Sequence, residues 1–194
     1  MTRMKALSRR QSISGDRVRL RLLDLADCTP GYLAWLEDPQ VNRYLETRWE
    51  PQSIASIQAF VGAMLASPDS YLLGIFIGDR HIGNIKLGPI SARHAYGDVS
   101  YFIGERDEWG KGYASEAIAA VTWFAFTILD LHRVQAGVYA ENAGSARALE
   151  KAGYAREGCF VRKLRGPEGW QDHLWYGLTR EDWKPTAFSI REGA

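Results

Sequence analysis

The chain has 194 residues, of which 46% are hydrophobic and 24% are charged, and its formal net charge is +1. That composition is typical of a single globular domain, and the near-balanced charge argues against a dedicated nucleic-acid-binding protein. No apolar run approaches the roughly 20 residues that cross a bilayer, and only two distant cysteines are present, so we expect a cytoplasmic protein with no nucleic-acid or membrane partner.

The two ends of the chain differ in composition from the rest. Residues 1–16 are rich in Arg and Ser, and we expect a flexible tail there. Residues 184–194 are polar and predict a second tail. No repeat or linker-like stretch interrupts residues 17–183, so one domain is expected over that range.

Apolar periodicity predicts seven strands and four helices. In chain order they are a strand at 18–23, a helix from Pro30 to near Pro39, a helix from Ile54 that ends by Pro68, strands at 70–77, 80–87 and 97–104, a helix whose apolar stripe runs from Ala114 to Ile128, a strand at 132–140, a helix at 145–153, and strands at 154–165 and 170–179. Because three strands follow one another before the longest helix, the pattern favours an α+β or mixed three-layer domain over a strictly alternating one.

A glycine-containing loop precedes the longest predicted helix. Gly110 and Gly112 lie in the stretch Glu108-Trp-Gly-Lys-Gly-Tyr-Ala-Ser-Glu-Ala117, and glycine permits backbone dihedrals that expose N–H groups. A helix start adds unpaired N–H donors and partial positive charge, so the loop predicts an anion site, most often for a phosphate. Gly110-x-Gly112-x-x-Ser115 nearly satisfies the dinucleotide fingerprint, but several strands precede it, and Lys111 comes before the second glycine instead of after it as in a Walker-type loop. Neither nucleotide-binding class fits this context.

Two separated motifs carry a resemblance to a known family. The strand, the glycine loop and the long helix resemble motif A of the GNAT superfamily of acetyl-CoA-dependent N-acetyltransferases, whose pattern Arg/Gln-x-x-Gly-x-Gly/Ala is met by Gly112 and Ala114. Trp109 stands at the basic or amide position, as is common in the RimJ/RimL-like branch. The segment from Asn142 to Tyr154 resembles that branch's Asn-x-x-Ser…Glu-Lys-x-Gly-Phe motif. The resemblance implies the GNAT fold, with a central, mostly antiparallel seven-stranded sheet and about four helices.

The resemblance also implies where a coenzyme binds. Acetyl-CoA would be the cosubstrate, without a metal, and its pantetheine arm would lie in a gap between the strands at 97–104 and 132–140. A bulge at residues 101–104 is one way to open that gap. Backbone N–H groups near Phe102 and Ile103 would polarise the thioester carbonyl. The other implied coenzyme contacts are Gly110, Lys111, Gly112, Tyr113, Ala114, Ser115, Asn142 and Ser145.

The implied chemistry is direct attack of an amine on the thioester, which calls for a base and an acid. Asp98 is the candidate base because many family members carry a carboxylate at the start of this strand, and a solvated or turn-capping role is an equal alternative. Ser145 is the candidate acid because Leu149 occupies the place where many relatives have Tyr; helix capping and coenzyme contact are the alternatives. Leu164 stands where some ribosomal-protein acetyltransferases use Glu, which weakens an assignment to that activity.

The loop between the first two helices commonly borders the acceptor site in this family. Tyr44, Arg48 and Trp49 fall there, and an aromatic pair with an arginine could stack a sugar or nucleotide and hold a phosphate. The stretch 35–48 also resembles acetyltransferases of surface-polysaccharide and flagellin-glycosylation pathways. A small-molecule amine such as an amino-sugar nucleotide is therefore the expected acceptor. A protein N-terminus, a polyamine and an aminoglycoside stay open, as do a non-catalytic coenzyme-binding sensor and a dinucleotide oxidoreductase.

The histidines are scattered along the chain, and structural roles are favoured for them. His173 follows Asp172 in the last predicted strand, but adjacent residues of a strand point to opposite faces, so the two do not make a histidine–acid pair. Either could still line the acceptor pocket. A monomer and a homodimer are both compatible with the sequence, since the edge strands of the C-terminal hairpin could pair across two copies.

Overall fold

The computed structural model describes residues 7–166 and 168–193. Within them the strands are β1 (Gln11–Ser14), β2 (Arg19–Leu22), β3 (Tyr71–Ile77), β4 (Arg80–Ser91), β5 (Tyr96–Ile103), β6 (Arg133–Tyr139), β7 (Ala155–Gly166), β8 (Gly169–Thr179) and β9 (Ser189–Glu192). The helices are α1 (Pro30–Glu37), α2 (Ile54–Ala66), α3 (Tyr113–Trp123) and α4 (Ala143–Lys151). None of the helices in this described part of the chain is long and apolar enough to cross a membrane.

All of these strands belong to one sheet, in the order β7-β8-β6-β5-β4-β3-β2-β1-β9. Each neighbouring pair is antiparallel except β5 and β6, which run parallel. The predicted mostly antiparallel α+β fold is therefore confirmed, and the described chain has nine strands where the sequence analysis expects seven.

The two additional strands lie in segments where tails are expected. β1 pairs with β9 in antiparallel register, with Ile13 opposite Ile190, and Ile13 is fully buried. Each strand has four residues, which is too short for a reliable periodic signal, and their pairing joins distant ends of the chain. The structure thus corrects the expectation of tails at residues 11–14 and 189–192, which complete one edge of the sheet. Residues 1–6 of the expected amino-terminal tail lie outside the described residues.

Helices cover both faces of the sheet. Leu72 and Leu73 are consecutive in β3, so their side chains point to opposite faces. Leu73 belongs to the larger core, which includes residues of α3 and α4, whereas Leu72 belongs to a smaller core with residues of α1 and α2. The domain therefore has three layers, and the sheet separates the α3–α4 layer from the α1–α2 layer.

The starts of the helices differ in a way that matters for binding. Thr29 caps α1 by accepting a hydrogen bond from the N–H of Tyr32, and Ser53 caps α2 in the same manner. The start of α3 has no side-chain cap, and its N-cap residue is Gly112. Since the first N–H groups of a helix need partners, the start of α3 is prepared for an external acceptor.

β5 and β6 are paired over only part of their length. The parallel register stops at Asp98 and Gln135, although both strands continue for several residues. The strands therefore diverge, as the resemblance implies, and we call the opening between residues 99–103 of β5 and 136–139 of β6 the cleft.

A bulge-like irregularity lies at the end of β5, where the N–H groups of Gly104 and Glu105 both donate to the carbonyl of Ile82, at 2.8 and 3.1 Å. Before it, β5 stays in register with β4, with Tyr101 opposite Ile85. The bulge expected at residues 101–104 is therefore found at their last residue and the next one. A second irregularity, between Leu87 and Ile90 of β4, lies beside the closed end of the cleft.

Candidate functional site

The cleft opens toward both layers of the domain. Strand alternation directs Tyr101 and Ile103 of β5 toward the α3–α4 layer, and Phe102 toward the α1–α2 layer. On β6, Val138 packs into the larger core, so its neighbour Tyr139 faces the α1–α2 layer. A ligand in the cleft would therefore contact Tyr101 and Ile103 on the α3–α4 side and Phe102 and Tyr139 on the α1–α2 side.

Backbone N–H groups of β5 line one wall of the cleft. The N–H of Gly104 donates to the carbonyl of Ile82 at 2.8 Å, so alternation directs the N–H of Phe102 toward β4 as well. The N–H groups of Tyr101 and Ile103 are then directed toward β6. Of the two donors expected from the sequence, Ile103 thus faces the cleft and Phe102 does not, while Tyr101 is a donor that the sequence analysis missed.

The glycine loop has the backbone conformation that its sequence predicts. Gly110 and Gly112 have φ angles of 76° and 88°, a region that favours glycine. The first intrahelical bond is donated by Glu116 to the carbonyl of Gly112 at 3.1 Å. The N–H groups of residues 113–115 therefore precede the hydrogen-bonded ladder of α3, and a Cβ atom at Gly110 would meet nothing within 4 Å. This open loop can accept an anion such as a pyrophosphate.

Side chains hold the loop in place from both sides. The indole of Trp109 donates to the carbonyl of Ile103 at 2.8 Å, which ties the loop to the end of β5. The Lys111 ammonium lies 2.9 Å from a carboxylate oxygen of Glu108. This contact, followed by the charge of Arg80, holds the pKa of Glu108 below its ordinary value. Trp109 thus takes no direct part in an anion site, although it stands at the motif's basic or amide position.

Arg17 is a residue that the sequence analysis missed. Its guanidinium donates to the carbonyl of Lys111 at 2.9 Å and to the carboxylate of Glu116 at 2.8 Å, and it lies 4.9 Å from the ring centre of Tyr113. A Cβ atom at Gly112 would lie 3.4 Å from its Nη2. Arg17 therefore places a guanidinium, paired with Glu116, beside the glycine loop, and no local pattern connects it to a motif almost a hundred residues later.

Ser145 lies in the first turn of α4, where Asn142 caps the helix. The side-chain oxygen of Asn142 accepts from the N–H of Ser145 at 3.1 Å, so the capping role considered for Ser145 belongs to Asn142. The Ser145 hydroxyl lies 2.7 Å from the hydroxyl of Tyr101, which also donates to the Ser145 carbonyl at 2.9 Å. Burial strongly raises the pKa of Tyr101, so its phenol stays neutral. Leu149, at the position where many relatives have Tyr, is fully buried.

Asp98 lies at the closed end of the cleft. Its carboxylate accepts a hydrogen bond of 2.7 Å from the side-chain amide of Gln135, its partner in the last parallel pair. The carboxylate is only partly buried, and it points toward the α1–α2 layer, as alternation with Val99 requires. It is therefore fixed by a neutral donor, on the side of the sheet opposite to α3.

The segment between α1 and α2 is fastened to the open end of the cleft. The Tyr139 hydroxyl donates to the carboxylate of Glu46 and accepts from Arg48 at 2.9 Å. Arg48 also donates to the carbonyls of Leu45, at 2.8 Å, and Arg165, at 2.7 Å. Most of its hydrogen-bonding capacity is thus used within the protein. Arg48, one of the expected acceptor residues, therefore holds this segment against β6 and β7. The sequence analysis did not identify Glu46 and Tyr139, which take part in the same hydrogen bonds.

A pocket of about 580 Å³ lies on the outer side of this segment. Among the described residues that line it are Asn42, Arg43, Arg48, Trp49, Arg165 and Glu168. The Arg48 guanidinium lies 4.2 Å from the centre of the Trp49 ring and forms part of the wall. Three arginines make the wall rich in cationic donors, and carboxylates lie beside them, since Arg43 is 3.3 Å from Glu168 and 3.9 Å from Glu141 and the Trp49 indole donates to Glu46. Tyr44 is not among its lining residues; its ring lies 5.6 Å from that of Tyr139, nearer to the cleft.

The described residues contain no group of three or more His, Cys, Asp or Glu side chains that could hold a metal ion. The arrangement instead joins an anion-accepting loop, a divided sheet and an arginine-rich pocket. Such a site can bind a long phosphate-bearing ligand through the α3–α4 side and a second molecule from the α1–α2 side.

Comparison with known proteins agrees with this geometry. The family model described as "Acetyltransferase (GNAT) domain" matches residues 17–155. The chain is 38% identical over 123 residues to the "Probable N-acetyltransferase YjcK" of Bacillus subtilis, a match that covers 61% of this chain and 66% of that protein. It is 29% identical over 109 residues to the ribosomal protein uS5-alanine N-acetyltransferase of Escherichia coli, which covers 56% of this chain and 54% of that enzyme. The chain thus spans just under two thirds and about half of the lengths of these two relatives.

Among solved structures, the chain is similar to Mycobacterium smegmatis RimJ in complex with CoA-disulfide. The TM-score is 0.80 at 20% identity, and the match covers 90% of each chain. At this identity the likeness supports the fold. The family model, the uS5-alanine N-acetyltransferase and the RimJ structure together confirm the predicted resemblance to GNAT acetyltransferases of the RimJ/RimL-like branch.

Proposed function

The chain belongs to the GNAT acetyltransferase family, and on that premise we propose that it transfers the acetyl group of acetyl-CoA to the primary amine of a small, anionic molecule such as an amino-sugar nucleotide. The observation that carries the choice of acceptor is the arginine-rich pocket, with Arg43, Arg48 and Arg165 in its wall. N-acetyl transfer itself follows from the family and from its curated N-acetyltransferase relatives.

The glycine loop supports acetyl-CoA as the cosubstrate. The N–H groups of residues 110–115 would bind its pyrophosphate, and Arg17 would add a positive charge beside them. A hydrogen bond to a charged group contributes about 1.5–3 kcal/mol, and the start of a helix adds about 0.3–1 kcal/mol. A few such bonds suffice for micromolar affinity, which corresponds to about 8 kcal/mol. Asn142 and Ser145, at the start of α4, are proposed as further coenzyme contacts.

The cleft supports direct transfer. The amine would approach from the α1–α2 side and attack the thioester carbon, while the N–H groups of Tyr101 and Ile103 stabilise the developing oxyanion. The C–N bond forms, the C–S bond breaks, and the leaving thiolate takes a proton. Ser145 is proposed as the donor at that step: its hydroxyl turns from Tyr101 to the thiolate, gives up its proton and regains one from solvent. The overall reaction converts an ammonium and acetyl-CoA into an amide, the free thiol and one proton.

The charge of the pocket argues for one class of acceptor over another. A polyamine carries several positive charges, and three arginine side chains in the wall would repel it. A nucleotide or sugar phosphate would instead gain charge-assisted hydrogen bonds from arginine and could stack on Trp49. Glu168, which pairs with Arg43 at 3.3 Å, would have to move or share its partner.

A second candidate function is acetylation of a protein N-terminus. The observation in its favour is the 29% identity to the uS5-alanine N-acetyltransferase. An α-amine, with a pKa of about 7.7–8.0, is already partly neutral at pH 7 and needs little help to lose its proton. Leu164 at the position where some ribosomal-protein acetyltransferases carry Glu speaks against this function.

Thiol release from acetyl-CoA tests the proposal. The panel comprises an amino-sugar nucleotide, the same amino sugar without phosphate, N-terminal peptides, a polyamine and an aminoglycoside. We expect selective turnover of the amino-sugar nucleotide and a large loss when its phosphates are absent. Turnover of peptides alone would establish the second candidate. Tight binding of acetyl-CoA without turnover of any amine would identify a coenzyme-binding sensor.

A further inference from the structure

His173 occupies a space that exists because residue 137 is glycine. The imidazole of His173, on β8, leans diagonally across β6, and a Cβ atom at Gly137 would lie 2.1 Å from its Nε2. The same atom would lie 2.9 Å from the ring of Trp175. Real side chains do not approach so closely, so an alanine at 137 would displace the imidazole. Gly137 is thus a cradle for the ring.

The cradle lies on the wall of the cleft. Gly137 belongs to the part of β6 that is not paired with β5. His173 stands opposite Tyr139 in the β6–β8 ladder, and both side chains are on the α1–α2 side of the sheet. This is the side from which the proposed amine approaches. Asp172 points to the other face, where it accepts from the N–H of Arg162 at 2.8 Å.

The surroundings of the imidazole disfavour its charged form. Its Nδ1 is buried without a hydrogen-bond partner in the described residues. Burial, followed by the positive charge of Lys163, lowers the pKa of His173, and the carboxylate of Glu46 opposes part of that shift. The other charged or titratable groups that face this region are Tyr139, on β6, and Arg48, which binds the Tyr139 hydroxyl. A neutral imidazole near pH 7 is a good proton acceptor.

We propose that His173 is the catalytic base that removes a proton from the ammonium of the acceptor. The inference rests on the proposed transfer to a primary amine. The proton passes from the ammonium nitrogen to an imidazole nitrogen, the nitrogen lone pair then attacks the thioester carbon, and the imidazolium releases the proton to solvent. Glu46 is the nearby negative charge that stabilises the imidazolium while it lasts.

Asp98 is the rival for this role. It lies at the closed end of the cleft, and its carboxylate is already held by Gln135. Gly137 lies two residues beyond Gln135 on β6. It places His173 beside the open part of the cleft, where a thioester has room to lie. The geometry therefore favours His173, and Asp98 serves to hold the last parallel pair together.

The test compares pH profiles of kcat/KM for wild type, His173→Asn and two controls. We expect His173→Asn to lower kcat/KM at pH 7 by about 100-fold or more, without a change in the KM for acetyl-CoA. The deficit should narrow as the pH approaches the pKa of the amine, because a neutral amine needs no base. His132→Asn changes an exposed histidine near Glu181 and should match wild type. Gly137→Ala should show the same pH-dependent loss with the imidazole still present.

Three results would overturn the inference. A His173→Asn deficit in kcat/KM that is constant with pH would indicate a purely structural role. The absence of any deficit in His173→Asn would rule the base out directly. A pH-dependent deficit in Asp98→Asn and not in His173→Asn would assign the role to Asp98. NMR of the four histidines provides a readout independent of turnover, since burial should hold the pKa of His173 below its ordinary value. Absence of wild-type turnover with every amine would instead refute the proposed transfer.

Discussion

The hydroxyls of Tyr101 and Ser145 lie 2.7 Å apart, and they join the cleft wall of β5 to the first turn of α4. Many relatives have a tyrosine hydroxyl where this chain has Leu149. Here the hydroxyls of Tyr101 and Ser145 lie at a different point of the fold. Because the phenol donates its one proton to the Ser145 carbonyl, the Ser145 hydroxyl donates in the 2.7 Å contact and the neutral phenol orients it.

Removal of either hydroxyl should slow the release of coenzyme A. We expect Ser145→Ala to lower kcat about tenfold or more, since it removes the proposed proton donor. Tyr101→Phe should lower it about fivefold, the equivalent of one hydrogen bond of about 1 kcal/mol. The double variant should be little worse than Ser145→Ala, because the two groups act as a unit. Steady-state kinetics of the three variants measures this, and additive losses would contradict it.

Gly112→Ala should weaken coenzyme binding. Its φ of 88° costs an alanine about 1–2 kcal/mol, and relaxation of the strain would turn the loop N–H groups away from the anion. We expect the KM for acetyl-CoA to rise about tenfold, as 1.4 kcal/mol corresponds to a factor of ten. Gly78→Ala is the matched control, since Gly78 has a φ of 56° in a distant hairpin turn. Both variants should lose stability in thermal melts, and only Gly112→Ala should change this KM.

Arg17→Gln should also raise the KM for acetyl-CoA, by about threefold to tenfold, because it removes a positive charge beside the glycine loop. Arg9→Gln removes an exposed pair with Asp24 at 3.4 Å and should leave the KM unchanged. Binding of coenzyme A, followed by calorimetry, separates affinity from turnover. Equal affinity in Arg17→Gln and wild type would show that Arg17 only fastens the loop.

Arg43 and Arg48 should differ in what they affect. Arg43→Gln should raise the KM for an anionic acceptor and leave stability nearly unchanged, because Arg43 is half-exposed in the pocket. Arg48→Ala should in addition cost about 2–3 kcal/mol of stability, since it breaks three internal hydrogen bonds. Acceptor kinetics together with urea unfolding distinguishes them. An unchanged acceptor KM in Arg43→Gln would contradict the anionic acceptor.

Asp27 should make the stability depend on acid pH. Burial alone would raise the pKa of Asp27, but the hydrogen bonds from Arg21, at 2.7 and 2.8 Å, outweigh it and lower that pKa below its ordinary value. A carboxyl with a lowered folded-state pKa stabilises the protein above its unfolded pKa, about 3.9, and the contribution disappears as the pH falls further.

We expect Asp27→Asn to cost about 1 kcal/mol at pH 7, after allowance for solvent screening, and almost nothing at pH 2. Asp79→Asn, at a fully exposed partner of Arg19, should cost little at either pH. Urea unfolding at the two pH values measures the difference. An equal loss of unfolding free energy in Asp27→Asn at both pH values would show that protonation of Asp27 is not linked to stability.

Local chemistry was sufficient for most of the architecture. The strands predicted at 70–77 and 80–87 are joined by a turn at Gly78 and Asp79, and Gly110 and Gly112 predicted an anion-accepting loop because glycine adopts their φ angles easily. Both depend on backbone conformation and on neighbours in the chain. The prediction of tails at 11–14 and 189–192 was wrong because these strands form by pairing with each other. A four-residue strand has no recognisable periodic pattern when its partner lies at the other end of the chain.

The sequence by itself thus determined the family, the order of the elements and the anion-accepting loop, all of which are written in short-range patterns. Only the tertiary structure decided which side chains meet across those elements. Arg17 reaches Glu116, Tyr101 reaches Ser145, and His173 fills the space above Gly137 because the register of the sheet brings them together. A contact between residues far apart in the chain depends on packing geometry, and periodicity and motif spacing do not encode it.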